Sequence, residues 1–201
     1  MKYVSTRGGE DEVSFTSVLL NGLAKDGGLY VPKTFPKFST KDLKRLSHMN
    51  YAELCYQVTK GFISESDIPH KDYKKICYKT YDKNFGTNII NIDKLSENEN
   101  ILNLYHGPTL AFKDFALQLL GNIYDYVLKK KRIELTILGA TSGDTGSAAI
   151  YGCSRSKKIK TFILFPHGKV SETQRKQMTT FKNKNVFCIA IKGDFDDCQK
   201  L

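Results

Sequence analysis

The chain has 201 residues, of which 40% are apolar, 11% aromatic and 26% charged, enough to bury a sizeable core and too apolar for a disordered tail. Its 31 basic residues outnumber 21 acidic ones for a formal charge of +10, but only five are arginine (Arg7, Arg45, Arg132, Arg155 and Arg175) and the lysines run along the whole length. A groove reader concentrates its charge and leans on arginine for bidentate contacts, so this pattern reads as a solvated lysine-rich surface and argues against a nucleic-acid partner.

Five scattered cysteines, Cys55, Cys77, Cys153, Cys188 and Cys198, form no C-x-x-C pair. Neither a disulfide framework nor a metal site is expected, and a reducing, cytoplasmic setting fits. No apolar run approaches the roughly 20 residues of a membrane span, and MKYVSTRGGEDEV lacks the apolar stretch of a signal peptide.

From Ser14 to about Tyr81 the pattern is helical and mixed. Ser14 caps an expected helix with apolar residues at Phe15, Val18, Leu19 and Leu23, stopped by Gly27 and Gly28. Leu29, Tyr30 and Val31 read as a short extended piece ended by Pro32. Asn50 and Glu53 have capping-box spacing ahead of Leu54, Val58, Phe62 and Ile63, which predicts a second amphipathic helix. Polar stretches at Asp82 to Asn88 and Ser96 to Asn100 separate this small helical layer from the remainder of the chain, so two domains are expected, 1–82 and 83–201.

In the second region, Ile101 to Tyr105, Ile133 to Leu138, Ile159 to Phe165 and Val186 to Ile191 are β-branched-rich runs suited to buried parallel strands. Helical patterns lie between them near 113–130, 145–155 and 171–183, and another helix should begin near Asp194. The fold class is therefore α/β, a three-layer sandwich around a parallel sheet. Ligands of such sheets bind beyond the carboxyl ends of the strands, which points to the loops after Tyr105, Leu138 and Phe165.

The first of these loops reads HGPTLAFKDF. Lys113, between Phe112 and Phe115, is the only basic residue from Ile101 to Val127. It is either a lysine in an apolar pocket that favours the neutral, nucleophilic amine, or a surface lysine paired with Asp114. The second loop, GATSGDTG at 139–146, has three glycines and four hydroxyl or carboxyl side chains ahead of a helix. It suits an anion cradle, or a tight turn with Asp144 or Thr145 as cap, and it lacks the spacing of a P-loop or a dinucleotide fingerprint. In the third, PHGKVSETQ, Ser171 and Gln174 have capping-box spacing, and Lys169 adds charge just before the helix start, at a ligand or at the surface.

Together, GPTLAFKDF, TSGDTGSAA and PHGKVSETQ, with STRG at 5–8 and GLAKDGGLYVP at 22–32, resemble the threonine synthase family, pyridoxal-phosphate (PLP) enzymes of the tryptophan-synthase-like, type II fold. The resemblance implies PLP as cofactor, O-phosphohomoserine and water as substrates, and threonine and phosphate as products. It makes Lys113 the lysine that holds the cofactor covalently, with Phe112 and Asp144 beside the cofactor. It makes Thr141, Ser142, Gly143, Asp144, Thr145 and Gly146 the loop that grips the substrate carboxylate, with Lys169 as a further substrate contact. Asp at 144, where wider relatives carry Asn, favours threonine synthases over serine dehydratases or tryptophan synthase. The +10 charge would help steer a dianionic substrate.

Family members are considerably longer, and neither a glycine-rich cup for the cofactor phosphate nor a hydroxyl for the pyridine nitrogen is visible after Ile191. The chain therefore reads as an N-terminal fragment, inactive by itself, that holds the N-terminal domain and the first part of the PLP domain. A phospholyase that releases phosphate and leaves a keto acid, or a non-catalytic relic, are the rival readings.

Overall fold

The computed structural model of the chain describes residues 1–85 and 88–201. They form two compact units, Met1–Asp82 and Lys83–Leu201. Residues 86 and 87 of the polar stretch at 82–88 lie outside the described residues.

In the first unit, strands β1 (Tyr3–Ser5) and β2 (Tyr30–Pro32) pair antiparallel. Between them runs helix α1 (Phe15–Asn21), with the Ser14 side chain accepting from the Ser17 N–H. The helix stops earlier than the periodicity predicts, because Gly22, at φ 74°, turns the chain out of the helix. Leu23 is left exposed beyond it. Asp26 then ties two sequence motifs together: its carboxylate accepts from Ser5 Oγ (2.7 Å), Gly9 N (2.8 Å) and Gly28 N (2.9 Å). These bonds, led by the one from Ser5, hold its pKa below the ordinary range. Arg7 donates to the Asp26 carbonyl, at 2.9 Å, so STRG and the KDGG turn form one latch.

Helix α2 (Thr40–Leu46) begins at a capping box of Ser39 and Asp42. Helix α3 (Tyr51–Thr59) begins at Asn50, whose side chain accepts from Glu53 N, and passes into a 3-10 turn at Lys60–Phe62. Helix α4 (His70–Asn84) continues through the first residues of the expected polar separator. Its buried Tyr73, Ile76, Cys77, Thr80 and Tyr81 recur at helical spacing and close the core of this unit with Ala52, Ile63 and Ile68.

Glu53 does not return its side chain to the cap. It accepts from Lys74 (2.8 Å) and Tyr78 (2.9 Å) on α4 and from Gln57 (2.8 Å) on α3. These partners, Lys74 first, pull its carboxyl down to about 2 from 4.5. A depressed carboxyl stabilises the fold above its unfolded value, and that stability is lost as pH falls from about 4.5 through about 2. Glu53→Gln should cost about 1–2 kcal/mol at neutral pH. The gap between variant and parent in urea unfolding should close as the buffer is acidified through that window; a gap independent of pH would disprove the assignment.

The second unit opens with a correction. The run 101–105, expected as the first parallel strand, belongs to an antiparallel hairpin of β3 (Asn91–Lys94) and β4 (Asn100–Asn103). Ile101 and Leu102 are about half exposed, and the turn at 95–99, closed by Leu95 N to Glu99 O, favours local pairing. The parallel sheet has the order β5 (Leu135–Ala140), β6 (Ile159–Pro166), β7 (Val186–Ile191). Helices α5 (Asp114–Lys131), α6 (Asp144–Cys153), α7 (Glu172–Thr179) and α8 (Phe195–Lys200) alternate with the strands.

Ile150 of α6 and Met178 of α7 bury Ile163 and Phe165 on one face of β6. On the other face α8 lies by Leu138, Ala140 and Leu164, while Leu138, Phe187 and Ile189 stay partly open to solvent. Only the central strand is thus buried on both sides. Helix α7 ends four residues before the predicted 183: the Thr179 and Thr180 hydroxyls bond back to the carbonyls of Arg175 and Lys176, and Phe181 turns into the core cluster. Among the described residues no helix is long and apolar enough to cross a membrane, and no group of His, Cys, Asp and Glu could hold a metal.

Candidate active site

The loop before α5 is built around a buried carboxylate. Asp114, fully buried, accepts from the backbone N–H of Thr109 (2.8 Å) and from its hydroxyl (2.9 Å). A side chain at Gly107 would collide with Asp114, so glycine is required there. GPT-x-x-x-x-D is therefore one closed turn. With Asp114 consumed inside it, the alternative Lys113–Asp114 pair is ruled out, and Lys113, the residue at the cap of α5, projects outward.

Lys113 Nζ instead meets Asp144 Oδ1, at 3.1 Å, and the Thr145 hydroxyl, both in the first turn of α6. Lys113 and Asp144 are 32% and 36% exposed, and Phe115 packs on Phe85. Phe112 is exposed, with its ring centroid 5.5 Å from Nζ, a cation–π distance.

Strand β5 runs through Gly139 and Ala140, so the second loop begins only at Thr141. That residue is buried, and its hydroxyl accepts from the N–H groups of Gly143 (3.0 Å) and Gly146 (2.9 Å). It shapes the loop from within. Gly143 caps α6 at φ 148° with no side-chain cap, and a Cβ there would strike the Gln174 side chain. Ser142 is exposed at the tip and Gly146 buried. Neither Asp144 nor Thr145 is the cap; both lie within the first turn and face Lys113.

Two residues of α7 complete the arrangement, Gln174 at the end of the third motif and Gln177 beyond it. Gln174 lies against Gly143, and Gln177 Nε2 donates to the Thr109 carbonyl at 3.1 Å, so α7 braces both loops. Ser171 caps α7 by accepting from Gln174 N, at 3.2 Å. The first loop thus reaches the sheet through α7 and Lys113, not through a strand of its own. His106 lies tilted against Tyr105 with ring centroids 4.8 Å apart, and its buried Nε2 has no hydrogen-bond partner among the described residues. Lys169 is not brought to this cluster. It is exposed beyond Gly168, and its charge acts on Asp194 at the cap of α8.

The arrangement presents a primary amine, a carboxylate, a hydroxyl and an open helix start at the carboxyl end of a parallel sheet, suited to carbonyl chemistry on an anionic ligand. Comparisons with known proteins point the same way. Residues 2–81 match the family described as threonine synthase N terminus. Threonine synthase of Pseudomonas aeruginosa is 49% identical over the whole chain, which spans 43% of that relative's length. The chain superposes over its full length on a PLP-bound threonine synthase from Brucella melitensis, with 43% identity, TM-score 0.91 and 43% of that protein covered. Against yeast threonine synthase the values are 37% identity and TM-score 0.90, covering 99% of this chain and 42% of the other. Residues 2–81 thus belong to the family described as threonine synthase N terminus, and the whole chain is similar in sequence and fold to the N-terminal part of threonine synthases.

Proposed function

We propose that this chain is the N-terminal part of a cytoplasmic threonine synthase that uses PLP to convert O-phosphohomoserine and water to L-threonine and phosphate. The observation that carries the reading is Lys113 Nζ held by Asp144 and Thr145 at the mouth of the second unit. The residues present fit the cofactor: a partly exposed amine for its carbonyl, the Phe112 ring beside that amine, and an uncapped start of α6 toward anionic groups.

PLP, when bound, supplies an electron sink for carbanions. Lys113 would hold the cofactor covalently and, as a free amine, would take the proton from substrate Cα; its four-carbon arm would reach the neighbouring carbons to move protons as phosphate departs from Cγ and water adds at Cβ. Asp144 and Thr145 fix where the amine waits. Ser142 and the first turn of α6 receive the substrate carboxylate, while Thr141, Gly143 and Gly146 give that loop its shape. Lys169 adds positive charge near the strand ends. We expect no turnover from the 201 residues alone, which span 43% of the length of the Pseudomonas aeruginosa relative.

The native protein that carries this chain should release threonine and phosphate in equal amounts from O-phosphohomoserine. Phosphate with a keto acid would identify a phospholyase instead. Asp144→Ala should lower turnover about 100-fold through the misplaced amine. It should change unfolding stability by less than about 1 kcal/mol, because the ion pair is partly solvated. Near-normal turnover with a clear loss of stability would make Asp144 a structural residue only.

A further inference from the structure

Two of the five cysteines are neighbours in space. Cys55 on α3 and Cys77 on α4 lie 22 positions apart in sequence with their sulfurs 4.0 Å apart. Cys77 is fully buried and Cys55 half-buried. Tyr73 and Tyr81, both buried, enclose the pair, and the Thr59 hydroxyl, 4.0 Å from Cys55 Sγ, also bonds to Tyr73, at 2.7 Å. Among the described residues no third metal-ligating side chain joins them. Cys188 is engaged with the Met178 carbonyl at 3.3 Å, and no contact between cysteines other than this one occurs among the described residues.

We propose that Cys55 and Cys77 are a reversible redox pair, with Cys55 the thiol that meets a peroxide oxidant and Cys77 the resolving thiol that closes a disulfide between α3 and α4. The sulfurs must approach by about 2 Å for the bond to form. The two thiols also differ in acidity. Hydrogen bonding with Cys77, then with Tyr81 and Thr59, brings Cys55 down to about 7, whereas its bond to Cys55 and its burial push Cys77 up.

In the first step the Cys55 thiolate attacks one peroxide oxygen, the O–O bond breaks, and the departing hydroxide takes a proton to become water. Cys55 is left as the sulfenic acid. The Cys77 sulfur then attacks the Cys55 sulfur, the S–O bond breaks, and the leaving hydroxide departs as water with the Cys77 proton. Two thiols lose two electrons, and one peroxide becomes two waters. A dithiol reductant reverses the cross-link by exchange, as a reducing compartment requires.

The test is graded hydrogen peroxide on the native protein that carries this chain, followed by alkylation of the remaining thiols and peptide mapping without reduction. The expected first product is the Cys55 peptide joined to the Cys77 peptide, lighter by two hydrogen atoms and restored by dithiothreitol, with Cys153, Cys188 and Cys198 still alkylated. In Cys77→Ala, Cys55 should stop at the sulfenic acid and be trapped by dimedone; in the parent protein it should escape that trap. Wild-type mapping needs no variant to fold, and it decides the matter alone. Over-oxidation of Cys55 without a cross-link, a first disulfide to any other cysteine, or a native Cys55 inert to peroxide would each overturn the pair.

Discussion

Lys113→Ala, made in the native protein that carries this chain, is expected to abolish covalent capture of PLP and to lower threonine formation on the order of 10,000-fold. The variant removes an amine and leaves the turn that positions it intact, because that turn is held by Asp114, Thr109 and Gly107 rather than by the lysine. Folding should therefore survive, with a stability change below about 1 kcal/mol for a partly solvated ion pair. Borohydride reduction of the PLP-loaded parent, followed by peptide mapping, should place the label on the peptide that contains Lys113. A label on Lys129, Lys169 or any other lysine would remove the foundation of the proposed mechanism, whatever the activity of the variant.

Much of the second unit is legible in the sequence because each element has a local cause. The β-branched runs that form β5, β6 and β7 lie between amphipathic helices, and Ser171 stands where its side chain caps α7. The run 101–105 also reads as apolar, yet its first three residues pair with β3. Apolar content says that a residue can form a strand, but not which neighbour it will find. Helix α4 is a different omission. Its buried residues keep helical spacing, but the lysines and aspartates between them hide that face in a composition-level reading.

At the site, the residue types are legible and the partnerships are not. Lys113 is conspicuous, but of its two candidate environments the Asp114 pair fails because Asp114 is claimed by Thr109, five residues upstream, and the lysine turns to Asp144, which is remote in sequence. Gln174 and Gln177 owe their roles at the site to where α7 packs, which no local pattern encodes.

The distance between Lys113 and Asp144 is itself set farther along the two helices, where Gly121 of α5 and Gly152 of α6 meet. A Cβ on Gly121 would overlap the Gly152 carbonyl, and one on Gly152 would overlap the carbonyl of Leu117, so the helices touch backbone to backbone. Lys113 precedes Gly121 by eight residues and Asp144 precedes Gly152 by eight, which puts both site residues about 12 Å from the crossing along their own helices. Gly121→Ala or Gly152→Ala must push the helices apart, because the obstructing atoms are main chain and cannot rotate away. Each is expected to cost about 3 kcal/mol of stability. Each should also separate the amine from its carboxylate, lowering turnover at temperatures where the variant is still folded. Unfolding curves and turnover measured well below the transition check both halves. An alanine variant with parental stability would mean that the crossing relaxes freely. One that is unstable but fully active when folded would show that the α5–α6 crossing does not set the geometry of the site.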